Sequence, residues 1–500
     1  MELFFTDLGS LRRSGPDTSL TGVALPPLPP AALQALENLS VPDGMPFFLD
    51  AAGRYDRVLN KFFRDLSADG CRSPRTWRAY ARDLHLFARF LDERCGGTPL
   101  LRASKDDLRS YYRARRLGLA AVTERSWNRA IAALDRFYRW ALSEDLIAAL
   151  PFDYRYATAN IPGHDGSTTV RSNQFLERVG PSEEVKCITL DDYLRFRDIG
   201  LLGRLPDGRP DPSFRGRNAL RNAAFAELLV TTGLRLTEAT RILKAELPDP
   251  AADTTANVKT FRMQLAHLTA KRAKGRLVHI PRRVLRDFVL PYIQEDRDNA
   301  VAKAVQAGHY RRLDNLLLVT RWTAIHCRLA GHATKKLDYA AIGPEDRAKL
   351  FSIGDDGFPS EPGLLWCTEQ GLPTEPENFE AVFIRACERC ARFGFDIRVT
   401  PHTLRHTFAV YMLSELIRAS LGSVVDLRQQ RRDLDEGAYR RIVFDPLDRL
   451  RRLLGHRSLT STYIYLTYIE EAQELVDQAV DQWSARLGSP DDLLNDEETL

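Results

Sequence analysis

The stretch P-H-T-L-R-H-T-F, from Pro401 to Phe408, decides how the second half of this chain is interpreted. Residues 403–417 read as a helix, and His402 and Arg405, three positions apart, would share one helical face. An imidazole beside a guanidinium suits an oxyanion that carries a transferable proton. An isolated pair of this kind is more often structural, so its meaning depends on the segments around it.

Three further segments carry residues of the same chemical kind. They are T-G-L-R-L-T-E at Thr232 to Glu238, A-K-R-A-K-G-R-L-V-H-I-P at Ala270 to Pro281, and L-L-G-H-R-S-L-T-S-T-Y-I-Y at Leu453 to Tyr465. In the first, a glycine ends a buried helix and Arg235 follows, placed for a bidentate phosphate contact. In the second, a lysine at a hairpin tip could reach a leaving oxygen. Each segment alone could equally have a purely structural role.

The last segment places tyrosines after a glycine-marked turn that holds His456. A phenol has an ordinary pKa of about 10, so it is a poor nucleophile unless neighbouring groups stabilise charge. Two arginines, a lysine and histidines would do that. A single aromatic side chain on a helix is otherwise more often part of a core.

In this order the four segments resemble the tyrosine recombinase (phage integrase) family, whose pattern is Arg, Lys, His-x-x-Arg, His or Trp, then Tyr. The resemblance covers about residues 186–485 and extends to 54–150 through S-P-R-T-W-R-A-Y-A-R-D-L-H-L-F and N-R-A-I-A-A-L-D-R-F-Y-R-W-A. It implies six catalytic residues: Arg235, Lys271, His402, Arg405, His456 and Tyr465.

The resemblance also implies a role for each of these residues. The two arginines would clamp the scissile phosphate, and the histidines would hydrogen-bond it and help to move protons. Lys271 would protonate the leaving 5′ oxygen, with Lys274 as its rival in register. Tyr465, rather than Tyr463 or Tyr468, stands nine residues after His456 and would attack the phosphorus. Glu238 would support Arg235.

Helical spacing and turn signals predict a mainly α fold with a small β-sheet (α+β), made of a helical core-binding domain and a catalytic domain. Capping signals at Ser73, Ser104 and Thr123 start the helices of the first domain. The predicted boundaries are an N-terminal extension at 1–50, the helical SAM-like DNA-binding domain at 51–152, a linker at 153–185, the catalytic domain at 186–488 with irregular insertions near 295–360 and 420–445, and an acidic tail at 489–500.

Composition indicates a soluble globular protein of two or three domains, because 44% of the 500 residues are hydrophobic and 28% are charged. Residues 51–150 carry 20 Lys/Arg against 12 Asp/Glu, whereas residues 1–50 carry two Arg against six acids. A basic module beside an acidic end suggests a polyanionic partner. The absence of a secretory signal and of a 20-residue apolar run, and seven scattered cysteines, favour a cytoplasmic protein without a membrane span. The lone pair Cys387 and Cys390 favours helix packing over a metal site.

The resemblance further implies the substrate and the assembly. The substrate would be double-stranded DNA with specific recombination sites, cut through a 3′-phosphotyrosine and a Holliday junction, without metal, cofactor or ATP. Four subunits would assemble on two DNA sites, and a C-terminal helix (470–487) of each would dock on a neighbouring subunit. The reaction would serve a mobile genetic element, and accessory proteins could take part. A type IB topoisomerase, a DNA-binding regulator with a silent site, and a generic basic helical module are the alternatives.

Overall fold

The computed structural model describes residues 1–6, 31, 44–50, 52–71, 73–118, 121–160, 167–177, 187–249, 259–269, 275–313, 315–331, 336–430, 446–456 and 460–465. The chain divides into two compact units, Met1–Ser182 and Glu183–Leu500. Both are mainly helical with small sheets, which confirms the predicted fold class.

The first unit is built on four helices whose starts follow their capping residues. They are α1 (Arg57–Ala68), α2 (Pro74–Arg94), α3 (Lys105–Arg116) and α4 (Glu124–Ser143). Ser104 and Asp107 form the predicted capping box, and the Thr123 hydroxyl accepts from the Ser126 amide. The helices bury one apolar cluster that includes Trp77, Trp127 and Phe137.

Both ends of the first unit contain strands that the sequence analysis did not predict. In the predicted extension, β1 (Glu2–Phe5) pairs antiparallel with β2 (Pro46–Leu49), and Phe48 is fully buried against the helices. In the predicted linker, β3 (Tyr154–Asn160) and β4 (Ser167–Asn173) form an antiparallel hairpin. Phe48, Tyr154 and Phe175 pack in the helical core, so residues 1–6 and 44–50 of the predicted extension, and residues 153–160 and 167–177 of the predicted linker, belong to the first unit.

The second unit begins with α5 (Leu190–Arg195), continued by a π-helical turn at Phe196–Leu201, and centres on α6 (Ala219–Thr232). The short α7 (Leu236–Thr240) follows α6, and β5 (Thr260–Leu265) pairs antiparallel with β6 (Arg276–Pro281). Next come α8 (Arg282–Val284), π-helical turns at Leu285–Val289 and Tyr292–Arg297, and α9 (Asp298–Gln306). Phe225 of α6 stacks on Phe379 with ring centroids 3.6 Å apart at the centre of this core.

The predicted insertion near 295–360 is ordered rather than irregular. It forms a five-stranded sheet in the order β11-β10-β7-β8-β9. The strands are β7 (Leu317–Trp322), β8 (His326–Leu329), β9 (Lys336–Asp338), β10 (Leu350–Ile353) and β11 (Pro359–Pro362), with α10 (Pro344–Arg347) between β9 and β10. One face carries its own apolar cluster, which includes Val319, Cys327 and Leu350. The charged residues of this segment hid short alternating strands.

Helices complete the second unit: α11 (Pro376–Arg392), α12 (Pro401–Gln430), a helix at residues 446–454, and α13 (Thr460–Tyr463). The second predicted insertion is therefore helical up to Gln430, and residues 431–445 lie outside the described ranges. The predicted C-terminal helix at 470–487 and the acidic tail at 489–500 also lie outside them. Within the described chain, every helix is too short or too polar to cross a bilayer.

Candidate active site

Arg235 stands at the start of α7, immediately after the turn that ends α6. Its guanidinium donates to Glu238 Oε1 at 2.8 Å, and its amide donates to Glu238 Oε2 at 2.9 Å. The same carboxylate accepts two bonds from Arg276, at 3.1 and 2.8 Å. Burial raises the pKa of Glu238, but Arg276 and then Arg235 outweigh it and hold the pKa at about 2. One carboxylate therefore orients two guanidinium groups and stays ionised.

Arg405 is buried, with 2% of its surface exposed, and it joins three separate segments. One guanidinium nitrogen donates to the Gly233 carbonyl, and another donates to the Leu454 carbonyl at 2.6 Å. Burial, followed by the repulsion of Arg235, lowers the pKa of Arg405 to about 9, so the group remains charged at pH 7. A guanidinium has five N–H donors, so these two carbonyls leave donors for an anion.

Two glycines in the left-handed conformation shape the turns around these arginines. Gly233 has φ +64°, and a Cβ there would overlap the Phe408 ring. Gly455 has φ +66°, and a Cβ there would lie 3.3 Å from the Arg276 side chain. Only glycine adopts this conformation at no steric cost, and the absent side chains allow both close approaches. These turns bring α6, β6 and the 446–454 helix to one point.

The Tyr465 side chain lies in this cluster, with 2% of its surface exposed. Its hydroxyl is 3.0 Å from His406 Nδ1, and its ring stacks on the His456 ring with centroids 6.2 Å apart. Burial raises the pKa of Tyr465, while the charges of Arg405 and then Arg235 oppose that rise. The phenol is therefore protonated, and it sits in the positive field that would favour its anion.

The two histidines around Tyr465 are neutral at pH 7. Burial, together with the charges of His402 and Arg405, lowers the pKa of His406 to about 4. Burial also lowers the pKa of His456 to about 3, assisted by Arg405 and Arg235. His456 Nδ1 lies 3.1 Å from the Thr462 hydroxyl. Neutral imidazoles can accept a proton, which a charged imidazolium cannot do.

The structure brings most of the predicted residues together. Arg235, Arg405, His456 and Tyr465 converge as described, and His402 is exposed with its ring 4.2 Å from that of His406. Lys271 and its rival Lys274 lie outside the described residues, as does Tyr468. The general acid therefore stays a prediction from the sequence.

The sequence analysis missed two residues of this cluster, Arg276 and His406. Arg276 is one of several basic residues in its segment, and nothing local marks it as the partner of Glu238. A signal for His406 was present: it follows Arg405 and stands one helical turn after His402, on the same face. In the described ranges no three His, Cys, Asp or Glu side chains gather as a metal site would require.

The helical domain is similar to a known domain family. Residues 59–145 match the model of the phage integrase N-terminal SAM-like domain. No curated protein matches the sequence.

The solved structures that are similar to this chain include three DNA-bound proteins. The XerH site-specific recombinase bound to difH is 14% identical over 82% of this chain and 80% of its own, with a TM-score of 0.40. The Tn1549 transposon integrase with circular intermediate DNA is 12% identical over 82% and 94%, with a TM-score of 0.40. A lambda integrase dimer bound to a COC′ core site is 13% identical over 81% and 93%, with a TM-score of 0.39.

Proposed function

We propose that this chain is a tyrosine recombinase of the phage integrase family, on the basis of its SAM-like domain and its ordered motifs. It cuts and rejoins DNA at specific sites, with Tyr465 as the nucleophile. The observation that carries the proposal is the position of the phenol. It lies between two neutral histidines, in the field of two arginines that come from distant segments of the chain. This set suits attack on a phosphodiester, whose charge must be neutralised while a proton leaves the nucleophile.

The proposed reaction begins when the scissile phosphate binds Arg235 and Arg405 through bidentate hydrogen bonds. The Tyr465 oxygen forms a bond to phosphorus, and the bond from phosphorus to the 5′ oxygen breaks. The phenol proton passes to a neighbouring imidazole, for which His406 is placed at 3.0 Å. The leaving oxygen takes a proton from Lys271 or Lys274, giving a 3′-phosphotyrosine and a free 5′-hydroxyl.

Attack of a 5′-hydroxyl from a partner strand on the phosphotyrosine would reverse these steps and join the strands. The energy of the phosphodiester is kept in the covalent link, so the exchange is close to balanced. Two rounds of exchange on two DNA sites would pass through a Holliday junction, with one subunit at each of four cleavage points. We propose a mobile genetic element as the setting.

The proposed assembly requires a place for the C-terminal helix of a neighbouring subunit. A cavity of about 510 Å³ lies beside the site, lined by Phe408, Met412 and Leu416 of α12 and by Arg276 and Leu453. Its mainly apolar wall suits the apolar face predicted for residues 470–487. We therefore place trans docking of that helix at this cavity.

A nicked duplex that carries a recombination site of the protein tests the catalytic proposal. After cleavage beside a nick, the short fragment diffuses away and the reverse reaction loses its hydroxyl, so a covalent protein–DNA adduct accumulates. Arg235→Ala should lower adduct formation by at least ~100-fold, because one side of the phosphate clamp is lost. DNA affinity should stay within a few fold, since most phosphate contacts lie elsewhere.

The matched control is Arg283→Ala. Arg283 is an exposed arginine of the same unit that also pairs with a buried carboxylate, that of Glu227. It should leave adduct formation unchanged. Equal loss of affinity and adduct formation in Arg235→Ala would instead assign that residue a docking role and would contradict the phosphate clamp.

A further inference from the structure

Three cations form a row across neighbouring strands of the five-stranded sheet. In the strand register, Arg321 of β7 lies directly opposite Arg328 of β8, and Arg328 lies directly opposite Lys336 of β9. Directly opposed residues point to the same face of a sheet. Arg321, Arg328 and Lys336, the cation row, therefore share one face.

Beside the row, the other face of these strands is packed against an apolar core. Each cation of the row has an apolar neighbour in its strand that belongs to the cluster around Val319. These neighbours are Trp322 after Arg321, Cys327 before Arg328 and Leu337 after Lys336. Because side chains alternate along a strand, the row points away from that core. Arg321 and Lys336 are exposed, and Arg328 is partly exposed.

The row is unfavourable for the isolated protein. Like charges directly opposite each other destabilise a sheet. Other arginines around this sheet have carboxylate partners: Arg297 pairs with Glu361, and Arg347 pairs with Glu246 at 2.7 Å. Among the described residues, the three side chains of the row make neither an ion pair nor a side-chain hydrogen bond. Binding of an external anion would relieve the repulsion among these three charges.

Two further titratable residues, Asp338 and His326, lie on the same face of the sheet as the row. Asp338 lies two positions after Lys336 on the same face, but its carboxylate accepts a hydrogen bond from the Ala340 amide. His326, directly opposite Asp338, lies with Nδ1 3.1 Å from the Thr323 hydroxyl. One acid against three cations leaves the face positive.

The sheet is held firmly to the segment that carries Arg235. The buried Arg347 donates to the Arg241 carbonyl just after α7, at 2.9 Å, and pairs with Glu246. The buried Arg297 donates to the carbonyls of Pro362 and Leu364 at 2.7 and 3.0 Å. The cation row is therefore a fixed feature of the catalytic unit.

We propose that the cation row binds the phosphate backbone of duplex DNA, outside the catalytic pocket. This inference rests on the proposed function, which brings a duplex to this unit. Strands about 4.8 Å apart give the row a length of roughly 10 Å, and duplex DNA presents a phosphate every ~3.4 Å along each strand. The row would then neutralise two or three phosphates and would add affinity without reading sequence.

The test compares binding of the full-length protein to a labelled duplex of about 40 base pairs with unrelated sequence, at several KCl concentrations. The row variant is Arg321→Gln/Arg328→Gln/Lys336→Gln. Each phosphate contact contributes about 0.9 to the slope of log affinity against log salt. For the row variant, the magnitude of that slope should therefore be smaller than the wild-type value by about 2 to 3. At physiological salt its affinity for the duplex should be lower than that of the wild type by roughly tenfold or more.

The matched control is Arg209→Gln/Arg286→Gln/Arg398→Gln, which removes three cations from the same unit. These side chains are exposed, and each pairs with an aspartate close to it in sequence. The control should bind like the wild type, with the same slope. A row variant with unchanged affinity and slope overturns the inference, as does an equal loss in the control.

Adduct formation on the nicked duplex separates this inference from the proposed function. At saturating protein the row variant should form the adduct at the wild-type rate, because the row lies outside the pocket. If the row variant loses DNA affinity while the wild type forms no adduct on its cognate duplex, the DNA surface stands and the recombinase chemistry fails.

Discussion

Arg405 and Glu238 are buried groups of opposite charge, and each connects separate segments of the candidate site through its own hydrogen bonds. Arg405 stays charged although it is buried, because two backbone carbonyls accept its N–H groups. Glu238 stays ionised because Arg276 and Arg235 surround it. Buried charges persist only when they are paired and hydrogen-bonded. The carboxylate of Glu238 therefore serves to orient arginines, and the excess positive charge of the site awaits a phosphate.

His406 is the residue that contacts the phenol directly, so its loss should slow strand cleavage. His406→Phe keeps a ring in place but removes the Nδ1 atom that lies 3.0 Å from the Tyr465 hydroxyl. We expect adduct formation to slow by about 100-fold or more, since a positioned proton acceptor typically contributes about 10²- to 10⁴-fold. DNA affinity should be unchanged.

The partly buried His309 provides the control for this prediction, since His309→Phe makes the same chemical change in the segment between α9 and the five-stranded sheet. Single-turnover rates on the nicked duplex measure both variants. Equal rates for His406→Phe and wild type would remove His406 from the proton path and leave His402 or His456 as acceptor.

The elements meet through the αL turn between α6 and α7. Gly233 lets the chain reverse, its carbonyl accepts from Arg405, and its bare Cα admits the Phe408 ring of α12. One backbone position thus sets the spacing of three helices that surround the candidate site. The glycine is required both for its conformation and for the space that it leaves.

A pair of glycine variants separates these two requirements. Gly308 has φ +65° and open space where a Cβ would lie, whereas Gly233 has φ +64° and the Phe408 ring at that position. Gly308→Ala should cost about 1–2 kcal/mol of unfolding free energy from backbone strain alone. Gly233→Ala should cost a further ~1–3 kcal/mol from overpacking. Urea denaturation measures both, and equal losses would contradict the packing role of Gly233.

At the scale of the whole molecule, local signals predicted local structure well. Ser104 and Thr123 begin helices as predicted, because a cap needs only the next three residues. The five-stranded sheet was missed because its strands are short and rich in charged residues, and because β10 pairs in parallel with β7 instead of with β9, which precedes it in the chain. The hairpin β3–β4 was missed because polar, β-branched residues looked like a linker.

The candidate site shows the same division between local and long-range information. Motif order pointed to Arg235, Arg405, His456 and Tyr465, which the fold brings together from distant positions. It could not reveal that Arg276 shares Glu238, because that contact depends on the approach of β6 to α7. The paired arginines and the cation row differ only in their neighbours in space.

The identity of the nucleophile is the central claim, and peptide mapping of the covalent adduct tests it most directly. After the nicked duplex has reacted, nuclease and protease digestion should leave a nucleotide attached to the peptide that contains Tyr465, and mass spectrometry should place it on that residue. Tyr465→Phe should form no adduct, while Tyr463→Phe should form it. An adduct on Tyr463 or Tyr468, or one that persists in Tyr465→Phe, would contradict the account.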